Sequence, residues 1–283
     1  MSAESAPVRG ASSAPDEAGP SGLSGPSGPG GVPADRRRAL VIGASSGMGA
    51  ALVRQLAAEG YRVAAVARRA AELEQLRQSC APAAARSGGA VFVHAHDVQH
   101  VDEVPALFET IVRELGGLDL LLYVAAIMPR VGPAEFDTGK DLPMVAVNFG
   151  GCVAWCNPTA ALFRSQRSGT IVGISSVAGD RGRKGQPVYA ATKAAMNSYL
   201  ESLRNRLAAA DVHVCTIKPG FVDTPMIAGM EKLFWVISPE TAAATILRAA
   251  RARKNVRYVP YRWMFVGLVL RSIPSFIFRK FNF

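Results

Sequence analysis

The chain has 283 residues, 49% of them hydrophobic and 19% charged, which is too apolar for disorder throughout and long enough to bury one sizeable core. Its formal net charge of +10, from 32 Lys and Arg against 22 Asp and Glu, points to an anionic partner such as phosphate, nucleic acid or an acidic membrane surface. Four scattered cysteines with no CxxC pair exclude a disulfide framework and read as small core residues, which suits a reducing cytosol.

Residues 1–35 are dominated by Ala, Ser, Gly and Pro, as in Gly25-Pro26-Ser27-Gly28-Pro29. Such a segment buries too little apolar area to offset its backbone entropy, and a flexible tail with no fold of its own is expected. It also lacks the apolar core of a secretory signal. From Arg36 onward short apolar runs alternate with helical patterns. Ala39–Ile42 reads as a strand that stops at glycine, Met48–Glu59 as a helix ending at Gly60, Arg62–Ala67 as the next strand and Ala70–Arg77 as helix. Further strands are expected at Val91–Val93, Leu118–Val124, Thr170–Ile174 and Val212–Ile217, with helices over Val101–Leu115, Leu142–Phe163 and Val188–Ala209. This alternation predicts an α/β fold, a doubly wound parallel sheet forming one domain over residues 36–260, with an extension over 261–283.

The first turn reads Gly43-Ala44-Ser45-Ser46-Gly47-Met48-Gly49, directly after a strand and before a helix. Glycines let backbone approach a pyrophosphate, and a helix N-terminus offers unpaired N–H groups. Its GxxxGxG spacing differs from the better-known GxGxxG. The second strand ends in Arg68-Arg69, with no Asp or Glu between Tyr61 and Ala71. An acidic residue there would accept from a ribose 2′-OH, whereas arginine suits a 2′-phosphate, so NADP(H) is favoured over NAD(H). Asp97-Val98 follows the third strand, where the Asp could meet adenine.

Ser175-Ser176 closes a strand, and Tyr189 and Lys193 follow at i and i+4 on one helix face. With these residues, the chain resembles the short-chain dehydrogenase/reductase family from Gly43 to about Thr224. The matching motifs, in order, are GASSGMG, Asp97-Val98, Asn148, Ser176, Tyr189-x-x-x-Lys193 and Pro219-Gly220. The resemblance implies a Rossmann-type fold and an NADP(H)-dependent enzyme interconverting a ketone and a secondary alcohol. It casts Tyr189 as general acid, Ser176 as the donor that orients the carbonyl, and Lys193 as holder of the nicotinamide ribose and depressor of the Tyr189 pKa. Asn148 would hold a water linking Lys193 to solvent. Pro219 and Gly220 would shape the wall by the nicotinamide, with Val222 and Thr224 completing the cofactor contacts. The family is commonly dimeric or tetrameric, so a homo-oligomer is expected.

Two positions depart from the family pattern. Its opening Thr is Ile42 here, and its Asn-Asn-Ala-Gly reads Tyr123-Val124-Ala125-Ala126. Both sides have turned apolar, so a hydrogen bond exchanged for packing is expected, with Ala126 adding a methyl beside the cofactor. His94 and His96 sit two apart on a strand but lack a third ligand, so no metal is assigned.

The extension is apolar and basic, with Trp263–Leu270 uncharged and Phe276-Ile277-Phe278-Arg279-Lys280-Phe281 near the end. Arg271 and Pro274 interrupt it far short of the ~20 apolar residues a spanning helix needs. It resembles the tail of reductases acting on polyprenyl-phosphoryl keto-sugars, which implies a hydrophobic, lipid-like ketone. Two placements stay open: packed on the fold, or lying on an anionic membrane surface at the inner, cytoplasmic face. A catalytically idle nucleotide sensor is the alternative class, but it leaves Ser176, Tyr189 and Lys193 together unexplained. No nucleic-acid module is present to make the basic charge a nucleic-acid site.

Overall fold

Side chains of the first strand, β1 (Arg38–Ile42), alternate between two apolar layers: Ala39 and Val41 enter one, Leu40 and Ile42 the other. A strand buried on both faces belongs in the middle of a parallel sheet. The computed structural model describes residues 37–281 apart from 133 and 232, so the flexible tail expected over residues 1–35 lies outside the described residues. In it β1 pairs in parallel with β2 (Arg62–Ala67) on one side and β4 (Leu120–Tyr123) on the other, with Leu40 opposite Ala64 and Leu121.

Beyond β2 comes β3 (Ala90–Ala95); beyond β4 come β5 (Thr170–Ile174), β6 (His213–Pro219) and β7 (Val256–Val259), giving a seven-stranded order of β3-β2-β1-β4-β5-β6-β7. Every pairing is parallel. Helices α1 (Gly47–Ala58) and α2 (Ala70–Ser87) cover one face with α7 (Pro239–Arg251). The other face carries α3 (Val104–Leu115), α5 (Gly151–Gln166) and α6 (Pro187–Leu207). The chain runs outward in opposite directions from the β1–β4 seam, and a crevice at the carboxyl ends of these two strands is where such a sheet takes its ligand.

Three stretches differ from the sequence expectation. Helix α2 continues ten residues past Arg77, through Pro82, because Leu73, Leu76, Cys80 and Ala84 form one buried stripe while Pro82 faces water. The helix expected over Leu142–Phe163 is divided. It begins as α4 (Thr138–Val145), widens into a π-turn at Ala146–Gly150, and resumes as α5. Finally, α7 and β7 lie in a stretch where no element was expected, since most of the buried side chains of α7 are alanines, which leave a faint apolar pattern.

The extension forms α8 (Trp263–Ser272) and α9 (Ser275–Phe278). Trp263 and Gly267 are buried against the body. The Arg181 guanidinium donates to the carbonyls of Leu270 and Ile273 at 2.5 Å each, binding the C-terminal end of α8 to the segment after β5. Among the described residues no helix is long and apolar enough to cross a membrane.

Candidate active site

The turn after β1 folds tightly because two glycines are pressed against backbone. Gly43 has φ +91°, and a Cβ there would lie 2.5 Å from the amide nitrogen of Ala125. A Cβ on Gly49 would lie 2.1 Å from the Gly43 oxygen, so the first turn of α1 can close on the strand only without one. The amides of Gly43 and Ala44 donate to the Val66 carbonyl at 2.8 and 3.1 Å, pinning the turn to β2. Beside it opens a cleft of about 770 Å³, lined by Gly43, Ser45, Ser46, Gly47, Met48, Gly49, Arg68, Arg69, Val98 and Thr224 among the residues expected to bind cofactor.

The far end of this cleft is cationic. Arg69 donates to the Ser45 hydroxyl from Nε (3.2 Å) and Nη2 (2.8 Å), bracing the glycine turn against the start of α2. Arg68 lies 3.6 Å from Asp97, whose other oxygen accepts from the Gln99 amide at 3.1 Å. Thr224 packs over the turn, since a Cβ on Gly47 would meet its methyl at 2.8 Å. A glycine cradle that side chains would fill, the N-terminus of α1 and two guanidiniums together fit a phosphorylated dinucleotide.

Ser176, Tyr189 and Lys193 come together where the end of β5 meets α6. Gly179 lets the 3-10 turn Val177–Asp180 lie directly on α6, because a Cβ there would be 2.6 Å from the Lys193 carbonyl carbon. Ser175 fastens the same junction, its hydroxyl donating to the Lys193 oxygen at 3.0 Å. Ser176 Oγ accepts from the Ala178 amide at 3.0 Å and also bonds Tyr189. Tyr189 packs with Met144 and Ala178 and against Ile127 and Met128, which line the cleft.

Burial pushes the Tyr189 phenol above its usual range, while the Ser176 hydrogen bond and the nearby Arg183 charge pull it down. The resemblance gave that lowering to Lys193. Here the Lys193 Nζ donates to the Ile174 carbonyl at 2.8 Å and sits 5.7 Å from the Tyr189 ring centroid. Its own pKa is pushed down to about 8, by burial above all.

Asn148 is fully buried in the π-turn, its amide closing two bonds with the Ile127 backbone, 2.8 Å to the N–H and 3.0 Å to the carbonyl. It therefore anchors the loop after β4 that walls the cleft. The departures from the family pattern are settled one strand away. Ile42 and Tyr123 are register partners, both fully buried in the same apolar cluster. The Tyr123 hydroxyl reaches the Val147 carbonyl at 2.5 Å, inside the π-turn. Ala126 lines the cleft.

Pro219 ends β6, and Gly220 donates its amide to the Val259 carbonyl at 2.9 Å. A Cβ on Gly220 would lie 2.0 Å from the Trp263 indole nitrogen, so the extension fills the space this glycine leaves. Val222 is buried and bridges to Ile237. Sequence reasoning missed two cleft residues, and took Met226 as part of an apolar lid. His96 is buried edge-on against Trp155 at 5.7 Å, and Arg130 ties the β4–α4 loop to the Ala228 carbonyl at 2.8 Å. Met226 lines the same wall. Only the position of His96 just past a strand end could have signalled its place.

The family model described as short chain dehydrogenase matches residues 37–232. An uncharacterized oxidoreductase of Mycobacterium tuberculosis is 30% identical over 244 residues, 85% of this chain and 95% of that one. Carbonyl reductase family member 4 of Xenopus tropicalis is 31% identical over 192 residues, 68% of this chain and 78% of its own. In fold, the structure of an actinorhodin polyketide ketoreductase with NADPH superposes with a TM-score of 0.69 at 24% identity, covering 79% of this chain and 95% of that one. The chain belongs to the short-chain dehydrogenase/reductase family. It is an oxidoreductase of that family, acting between CH–OH and C=O with a nicotinamide dinucleotide.

Proposed function

We propose that the protein interconverts a hydrophobic, lipid-like ketone and its secondary alcohol with NADP(H). The observation that carries this reading is the grouping of Ser176, Tyr189 and Lys193, with Tyr189 in one apolar cluster with Ile127 and Met128, which line the same cleft as Arg68 and Arg69. The glycine turn and the N-terminus of α1 bind the pyrophosphate, and the two guanidiniums take the 2′-phosphate. Asp97 and Val98 flank the adenine, and Lys193 holds the nicotinamide ribose. When bound, the dinucleotide supplies the hydride. Ser176 donates to the substrate oxygen, and as the carbonyl carbon becomes an alcohol carbon Tyr189 gives that oxygen its phenolic proton. Asn148 keeps the opposite wall in place through Ile127. The NADPH in the ketoreductase structure and the carbonyl-reductase name of a relative support the same chemistry.

The substrate class rests on the loop after β6, which exposes Met230, Phe234 and Trp235 beside the extension. Helix α8 presents Phe265, Leu268 and Val269 to solvent along one face, 58%, 48% and 62% exposed, next to Arg262 and Arg271. That apolar face with a basic rim supports a reading in which the enzyme works on an anionic membrane surface, at the cytoplasmic side. We take the working unit to be a homo-oligomer, as is common in the family.

The test is Tyr189→Phe, which should bind NADPH within about threefold of wild type yet lose most turnover on any accepted ketone. Equal turnover by the two proteins refutes the assignment.

A further inference from the structure

Three arginines line the cleft: Arg68, Arg69 and Arg130. Arg68 lies 3.6 Å from Asp97 and Arg69 lies 3.4 Å from Glu72, so each has a carboxylate beside it. Among the described residues no carboxylate pairs with Arg130, and none lines the cleft. The acid nearest to it in the chain, Glu135, is committed to the loop itself. It accepts from the Gly132 amide at 2.8 Å and from the Lys140 ammonium.

The stem from which Arg130 projects is fixed. Asn148 holds Ile127 three residues earlier, and the Arg130 carbonyl accepts from Lys140 Nζ at 3.1 Å. The guanidinium reaches the loop after β6, where Nη2 donates to the Ala228 carbonyl at 2.8 Å. It lies against Gly229, at which a Cβ would come within 2.6 Å of Nη2. That loop starts on the glycine turn, with Thr224 packed on Gly47, and the turn presses Gly43 onto Ala125 at the root of the Arg130 loop. The contacts form a circuit of cleft-lining residues that Arg130 closes. A pyrophosphate on the glycine turn meets N–H dipoles from residues 43–49, none of which carries a charge.

We propose that Arg130 is a cofactor-binding residue whose guanidinium, held on Ala228 through one N–H, gives its remaining N–H groups to the pyrophosphate of the dinucleotide. A planar guanidinium suits this task, because one edge can hold a carbonyl while another meets phosphate oxygens. The proposal rests on the reading of this cleft as a dinucleotide site and is independent of the choice between NAD(H) and NADP(H).

Binding without turnover tests it. NADPH, NADH and ADP-ribose are titrated calorimetrically into wild type, R130Q and R130K. ADP-ribose carries the pyrophosphate but neither the nicotinamide nor a 2′-phosphate. R130Q should bind all three at least about tenfold more weakly, as expected for a lost charge-assisted contact to phosphate. R130K, which keeps the charge without the fork, should recover part of the loss. Added salt should weaken ADP-ribose binding to wild type more steeply than to R130Q, a difference that a purely structural role does not produce. Melting temperatures near that of wild type report that both variants are folded. Equal ADP-ribose affinity in wild type and R130Q overturns the proposal, as does a loss confined to NADPH or an unchanged salt dependence. In each of those cases wild-type binding of the dinucleotides stands, and the reading of the cleft with it. Failure of wild type to bind any of the three overturns that reading and the proposal together.

Discussion

The phenolic hydroxyl of Tyr123 donates to the carbonyl oxygen of Val147 across 2.5 Å, both groups shut away from water. A π-turn breaks the regular i to i−4 pattern and frees a carbonyl, which in an apolar interior needs a donor. Tyr123 supplies it from the end of β4. The next residue in that turn is Asn148, whose amide holds Ile127 at the cleft wall, so a strand residue fixes an active-site loop through one buried bond.

Tyr123→Phe should therefore cost more than an ordinary hydrogen bond. Leaving the Val147 carbonyl buried and unpaired costs about 1–3 kcal/mol. Thermal denaturation should move down by about 2–4 °C for each kcal/mol lost. Turnover should fall further than this stability loss alone explains, because Asn148 loses its fixed position. A variant with unchanged melting temperature and unchanged turnover would remove Tyr123 from the account.

Lys193 sets a pH dependence. Its pKa is pushed down to about 8 by burial, so the folded protein carries this charge below that pH and loses it above. The dissociation constant for NADPH should rise as pH climbs through about 8, the ribose losing a charged donor. Lys193→Arg should shift that rise to higher pH. The stability sign follows from the same values. Between about 8 and the ordinary lysine range the unfolded chain keeps a proton that the folded chain has released. Unfolding free energy from this group therefore increases with pH across that window, and Lys193→Met should abolish the increase. Urea titrations at three pH values check it.

Much of this was readable before any coordinates. The strands at Ala39–Ile42, Arg62–Ala67 and Thr170–Ile174 announce themselves because parallel strands buried on both faces are unbroken apolar runs ending in glycine or polar turns. Ser176, Tyr189 and Lys193 were legible from spacing, since i and i+4 share a helix face. The π-turn was not, because a helix and a helix with one widened turn share the same apolar period. Tyr123 looked like packing, as its hydroxyl partner lies 24 residues away on another element. Arg130 carried no signal, because the Ala228 carbonyl it holds lies 98 residues further along the chain.

On the proposed NADP(H) reading, cofactor choice divides between the two arginines. Arg68 stands beside Asp97 at the adenine end, while Arg69 is bound to Ser45 in the glycine turn. Arg68→Ala should weaken NADPH by roughly ten- to a hundredfold and leave NADH nearly unchanged, since only the 2′-phosphate contact goes. Arg69→Ala should weaken both cofactors, because the turn loses its brace as well. Fluorescence titration of NADPH and NADH against the two variants decides it, and equal losses for both cofactors in Arg68→Ala would refute its 2′-phosphate role.

The extension both packs on the body and faces outward, so deleting it cannot separate the two roles. Trp263 stacks on Phe234 at 5.2 Å and meets Phe221 edge-on at 5.6 Å, filling the space left by Gly220. A chain ending at Tyr258 should melt lower for that reason alone. The informative variant is F265S/L268S/V269S, which changes only side chains already 58%, 48% and 62% exposed. Its melting temperature and NADPH affinity should match wild type. Wild type should sediment with vesicles containing anionic lipid, and the variant should stay in solution, because insertion of those three side chains supplies the apolar part of the affinity. Added salt should loosen the wild type without releasing it fully, since screening removes the attraction of Arg262 and Arg271 but not the apolar contribution. Cosedimentation of the triple variant equal to that of wild type would show that this face does not contact lipid.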